Sequence, residues 1–185
     1  MFLRQVDPTK AKPWDLPPVV VEFHDAQLLV LQGERTGRCG FIRTGEPVTM
    51  QSTESYLHIL RGRGAAFFAC ALPEPRHPLT RTFDSCGRID LTSADGGYWQ
   101  SAELFVCDHP YYTLSDTEGR FRFTDVPVGQ YDLVVWHPNW TVARMERNPE
   151  SGLPWRVIYA PSLERSRPVV VSRGQVTLAN FTFPD

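Results

Sequence analysis

Apolar residues along this chain come in short runs, often with a period of two, separated by polar stretches rich in Pro and Gly. Val19-Val20-Val21-Glu22-Phe23 and Leu28-Leu29-Val30-Leu31 predict two strands, each short, β-branched or apolar, and bounded by Pro or Gly. Gly40 to Arg43 and Pro47 to Gln51 predict two more. Tyr56, His58 and Leu60 share one parity, which places them on one face of a strand. Gly62-Arg63-Gly64 predicts a turn after it, and the continuous apolar run Ala65 to Leu72 predicts a buried central strand. Pro73 to Pro78 is a loop. Ile89 and Leu91 alternate with Asp90 and Thr92, and Ala102 to Val106 returns an apolar strand. About eight strands therefore fall before residue 107, with no helical period, which is the pattern of a sandwich or barrel.

The second half starts afresh. Tyr111 to Leu114 predicts a strand, Ser115 to Gly119 a hairpin loop, and Phe121 and Phe123 alternate with polar neighbours. Val126-Pro127-Val128-Gly129 predicts a tight turn, followed by a strand in which Tyr131, Leu133 and Val135 share a face. Residues 137–165 are polar, contain prolines and lack a clear strand period, so they predict an exposed excursion. Pro168 to Val171 and Val176 to Phe183 predict closing strands, with a bulge near Asn180 where the apolar parity switches.

Composition narrows the class. A chain of 185 residues makes one large domain or two small ones, and a hydrophobic content of 42% is too high for disorder. Sixteen prolines and thirteen glycines favour short strands and turns over helices. A net charge of −2 without a basic run argues against a nucleic-acid partner. No apolar run reaches the roughly 18–20 residues of a membrane-spanning helix. Met1 to Leu16 lacks the apolar core of a signal peptide, so nothing in these residues marks the chain for export. Cys39, Cys70, Cys86 and Cys107 form no C-x-x-C pair, and free thiols and at least one disulfide both remain open.

Two resemblances follow from particular residues. Ser115-Asp116-Thr117-Glu118-Gly119-Arg120-Phe121 and Val126-Pro127-Val128-Gly129-Gln130-Tyr131-Asp132-Leu133-Val134-Val135 resemble the carboxypeptidase regulatory-like (prealbumin-like) family, which runs T-D-x-x-G-x-F and then V-P-x-G-x-Y-x-L-x-V. That resemblance implies a seven-stranded sandwich serving as a structural or binding module. The first 106 residues resemble cupredoxins. His58 falls where that family places a copper-ligating histidine, and Phe83 to Ser93 matches its F-x-x-P-G-x-Y-x-F-x-C frame with Ser93 at the cysteine position. The following loop, Ala94 to Gln100, holds no His, Cys or Met. The resemblance therefore implies the fold without a type 1 copper centre. The direct run into Asp108-His109-Pro110-Tyr111-Tyr112 resembles bacterial proteins, known mainly from planctomycete genomes, that fuse the two domains. The family suggests an extracytoplasmic location.

The expected architecture is thus all-β, with two Greek-key β-sandwich domains in tandem: an extension at 1–17, a cupredoxin-like sandwich at 18–107, and a carboxypeptidase regulatory-like sandwich at 108–185 carrying the 137–165 excursion. Three histidines are candidate metal ligands. His58 stands on an apolar strand face, where a hydrogen-bonded core histidine is the plainer reading. His109 and His137 would be neighbours, with Asp108, if residues 111–114 and 131–136 paired. Trp140, Trp155 and Tyr159 are candidate partner-binding residues, the alternative being that they pack the excursion onto its own sandwich. No G-x-S-x-G, H-E-x-x-H or phosphate-binding loop is present. Two functions of different class remain: a non-catalytic binding or assembly module for a protein or glycan, with no cofactor, or a metal or redox protein using a reduced site at His58 or at His109 and His137.

Overall fold

The first strands build two five-stranded sheets. A computed structural model of the chain describes residues 1–73, 75, 77–95 and 97–183, without the side chain of Trp155. One sheet contains β2 (Val19–His24), β3 (Gln27–Gln32), β4 (Arg35–Gly37), β6 (Val48–Ser52) and β9 (Leu79–Arg81), in the order β4-β3-β2-β6-β9. The other contains β5 (Cys39–Arg43), β7 (His58–Gly64), β8 (Phe68–Leu72), β10 (Gly87–Ser93) and β11 (Ser101–Cys107), in the order β5-β11-β10-β7-β8. The chain crosses between sheets at Arg38, and each sheet holds one parallel pair, β2 with β6 and β5 with β11. The described residues contain no helix.

Alternation decides which side chains meet between the sheets. Val19, Val21 and Phe23 from β2, Leu28 and Val30 from β3, and Val48 and Met50 from β6 face Leu60, Ile89, Leu91, Ala102, Leu104 and Val106, and together they form one buried cluster. Each such side chain contributes roughly 1.5–3 kcal/mol by leaving water. The run Ala65 to Leu72, expected to be a central strand, instead supplies the edge strand β8, in which burial alternates and the neighbouring Phe67 is 80% exposed. Gly62 and Gly64, expected in a turn, belong to β7. Gly62 lies under the ring of Phe68, so even a methyl group there would collide with it. Gly64 takes φ +122 against the carbonyl of Arg88, a backbone conformation that favours glycine.

Contacts divide the chain into two units: Asp15–Asp108 with Val142–Ile158, and Met1–Trp14 with His109–Thr141 and Tyr159–Asp185. The N-terminal residues, expected to be an extension, thus carry β1 (Phe2–Arg4) of the second unit's sheet. That sheet runs β1-β12-β15, with β12 spanning Gly129–His137 and β15 spanning Leu163–Val171. Leu3, Tyr111, Tyr131, Leu133 and Val169 form its core, with Phe121, Phe123 and Phe181 packed against them. Residues 111–114, 120–124 and 176–183, expected as strands, are not strands. Tyr112 makes one isolated bridge to Phe2, and the closing segment touches β15 through Thr177 Oγ1 to the Val170 carbonyl and Arg167 to the Asn180 carbonyl. The resemblance implied seven strands here; the described residues of this unit supply three in its sheet.

The motif residues have local duties. Asp116 accepts from the N–H groups of Glu118 and Arg120 and closes the loop, with Gly119 at φ +78. The Tyr131 hydroxyl donates to the Pro127 carbonyl across the tight turn. Tyr111 is 1% exposed; its hydroxyl donates to the Asp125 carbonyl at 2.7 Å and accepts from the Lys12 N–H at 3.1 Å. Tyr111→Phe leaves both backbone groups without that oxygen, and the expected loss is about 1.5 kcal/mol in a urea denaturation. A variant as stable as the parent would mean that the hydroxyl contributes nothing.

The excursion is a hairpin. β13 (Val142–Arg147) and β14 (Pro154–Tyr159) form a two-stranded sheet. Asn148 builds the turn by accepting from the N–H groups of Glu150 and Ser151, and Gly152 takes φ +68. Glu146 sits between Arg144 at 3.1 Å and Arg156 at 3.7 Å. Five of the six residues of β13 are exposed, so no burial alternation marks the strand in the sequence.

Candidate functional site

His58 begins β7 on the face that carries Leu60 into the core, opposite Leu72 of β8. Its ring is fully buried, stacked on Phe23 at 4.1 Å and flanked by Tyr56 at 4.5 Å. Nε2 lies 2.5 Å from Glu54 Oε2. Nδ1 lies 2.9 Å from Asp95 Oδ2, close enough for an ion pair but not aligned as a hydrogen bond. A carboxylate therefore stands at each ring nitrogen.

The carboxylates are held in turn. Glu54 Oε1 accepts from the Ala26 N–H at 2.6 Å, and the Glu54 N–H donates to the buried Ser52 hydroxyl. Burial pushes the Glu54 carboxyl up, but hydrogen bonds from Ala26, Tyr56 and His58 together hold it below the usual carboxylate range. The hydrogen bond to Glu54 pushes the Tyr56 hydroxyl up. Asp95 belongs to the loop after β10, where its N–H donates to Ser93 Oγ. Neither Glu54 nor Asp95 was anticipated from sequence. Glu54 is only four residues before His58 but on an irregular segment, where no strand or helix period aims it at the ring, and Asp95 is thirty-seven residues away.

This donor set does not suit a type 1 copper ion. Such a centre needs a thiolate and two free imidazole nitrogens. Here the one imidazole has Nε2 hydrogen-bonded to the Glu54 carboxylate and Nδ1 beside the Asp95 carboxylate, and the position after Thr92 is Ser93. Cys86 lies at the opposite end of β10, roughly 20 Å away at the rise of a strand. Cys70 donates to Met50 Sδ at 3.9 Å, and burial pushes its thiol up against the pull of Arg81, so it stays protonated. All four cysteines are free.

The other histidines are not brought together. β12 pairs with β1 and β15, not with residues 111–114. Tyr112 and Val134 both stand opposite Phe2, His109 lies in the bend before Tyr112 with its ring 5.2 Å from the Tyr112 ring, and His137 ends β12. His109 is buried, and its Nδ1 accepts from the Tyr111 N–H. His137 is exposed beside the Pro138 carbonyl. No cluster of three or more potential metal ligands in a holding geometry exists among the described residues. Of the aromatic candidates, Trp140 is 48% exposed and meets Tyr159 edge-on at 5.4 Å. Trp155 stands on β14, with its side chain outside the described residues.

No protein-family model matches the chain, and no curated protein matches it. Among solved structures, the chain is similar to a mutant of amicyanin in its reduced state, with 16% identity and a TM-score of 0.38 over 48% of this chain and 81% of that one. It is also similar to a purple cupredoxin from Nitrosopumilus maritimus, with 13% identity and a TM-score of 0.38 over 49% of this chain and 99% of that one. Both are cupredoxins, and each match spans about half of this chain.

Proposed function

We propose that this chain is a non-catalytic binding or assembly module for a protein or glycan partner, built on a copper-free cupredoxin-like sandwich. Its second unit is a carboxypeptidase regulatory-like module of the kind fused to such sandwiches in planctomycete proteins. The observation that carries this reading is the pair of carboxylates on His58. The one histidine in the ligand position of the resemblance has a carboxylate against each ring nitrogen, and a metal would have to displace Glu54 or Asp95 to reach it. The metal alternative at His109 and His137 lacks a shared centre. For the second unit, Asp116, Gly119 and Tyr131 support the resemblance because each performs the turn-building duty its motif requires.

The contact surface in this reading is the hairpin β13–β14. Val142, Met145 and Leu153 are 48%, 42% and 67% exposed, which is much apolar surface for a two-stranded element to leave in water. The test of the copper-free reading is direct. Copper(II) is added to the purified protein, excess is removed by gel filtration, and retained metal is measured by mass spectrometry. Less than about 0.1 copper per chain is expected, with no intense charge-transfer band. One tightly held copper per chain, or a blue protein, would overturn the reading.

A further inference from the structure

Three segments meet around the buried histidine: residues 24–26, 52–58 and the described residues 93–95 and 97–100. They are tied together at Ala26, whose N–H donates to Glu54 and whose carbonyl accepts from the indole N–H of Trp99 at 2.8 Å. Asp25 and Ala26 hold φ +47 and +57, so this tight turn is fixed in place. Beside Asp25 and Leu57, these segments leave three aromatic side chains outside. Tyr56 is 52% exposed, Trp99 46% and Tyr98 39%, and Tyr98 meets Trp99 edge-on at 5.1 Å.

The charge of the same segments is negative. They contain Asp25, Glu54 and Asp95 and neither Lys nor Arg. His58 is buried between two of these acids, and His24 stands 3.4 Å from the third. Elsewhere the chain supplies its own cations to its aromatic rings: Arg81 lies over Phe68 at 4.7 Å, Arg63 over Phe67 at 5.8 Å, and Arg35 over Phe41 at 5.5 Å. Among the described residues, no Lys or Arg lies over Tyr56, Tyr98 or Trp99. These rings have the acidic surroundings that attract a cation.

We propose that this end of the sandwich binds an arginine side chain of a partner protein. A guanidinium is planar and weakly hydrated, so it stacks on an exposed ring while its N–H donors reach a carboxylate edge. Asp95, with its side chain 24% exposed, and Asp25, 84% exposed, are the acids open to it. Glu54, 13% exposed and fully hydrogen-bonded, adds field and fixes Tyr56. This gives a ligand chemistry to the binding module proposed above, and it uses no residue of the β13–β14 hairpin, so the two can fail separately.

The test titrates acetyl-Gly-Arg-Gly-amide into the full chain and follows the Trp99 indole N–H signal by NMR, with Trp99→Phe used to assign that signal. The same peptide carrying citrulline, a neutral isostere of arginine, is the comparison. A saturable shift with a dissociation constant in the low millimolar range is expected, about tenfold or more weaker for citrulline. Asp25→Asn, on an exposed side chain outside the His58 ion pairs, is expected to weaken binding about threefold, and added salt to weaken it further. Citrulline binding within about twofold of arginine, or no saturable shift up to about 50 mM, would overturn the proposal.

Discussion

Replacing His58 by alanine is expected to destabilise the protein by about 4 kcal/mol. Three losses add. The imidazole fills core volume against Phe23, and its removal leaves a cavity. It hydrogen-bonds Glu54 and lies against Asp95, whose side chains are only 13% and 24% exposed, so both carboxylates lose a polar neighbour in a place water reaches poorly. It also ties residue 54 and the 94–100 loop to the start of β7. Asp95→Asn removes only the less buried contact and is expected to cost about 1 kcal/mol. The measurement is the urea midpoint at constant m. A chelator such as EDTA is expected to leave the parent midpoint unchanged, because protein oxygens and not a metal hold the ring. A drop in the midpoint with chelator, equal to that of His58→Ala, would show that a metal does the holding.

Stability is expected to fall by roughly 2 kcal/mol between about pH 5 and pH 8 because of Glu103, and Glu103→Gln is expected to remove that fall. Glu103 lies on β11 beside Asp90 of β10 and Cys39 of β5. Burial first, and then the neighbouring Asp90 charge, raise its carboxyl from 4.5 to about 7, against the opposing pull of Arg88 and Arg38. Arg88 cannot compensate fully because its guanidinium is committed to Asp90 at 2.7 and 3.1 Å. A group that binds its proton more tightly when folded stabilises fully below its unfolded value, and that contribution is lost as pH rises through the folded one. The magnitude is set below the full shift because the residue is only partly buried and solvent screens it. Glu54 acts in the opposite sense. Its lowered carboxyl contributes above its usual value and loses that contribution as pH falls below it. A pH profile of the Gln variant that still falls from pH 5 to pH 8 like the parent would remove Glu103 as the cause.

Local alternation made the sandwich legible. Val19, Val21, Phe23, Ile89, Leu91 and Leu104 all lie in one core because a strand with one buried face must place apolar residues at every second position. The failures share a different cause. Gly62 and Gly64 were read as a turn because glycine usually signals one, but one lies under Phe68 and the other against a neighbouring carbonyl, contacts made by other strands. The β13–β14 hairpin was invisible because nothing covers β13, and without burial no periodicity is selected. Residues 176–183 carry an apolar pattern yet form no strand, since alternation marks a face and not the presence of a partner.

The sequence by itself determined the all-β class, most strands of the sandwich and the placement of His58 on a core face, because these follow from period-two burial and from the density of Pro and Gly. It also determined that no thiolate stands at Ser93. That β1 joins the second unit, that His109 and His137 stand apart, and that Asp95 reaches the nitrogen of His58 opposite Glu54 came from the folded chain alone. Those outcomes depend on strand register and on loops returning across tens of residues. A through-space charge pair leaves no spacing in the chain, because the energy that selects it depends on the distance between side chains and not on their separation in sequence.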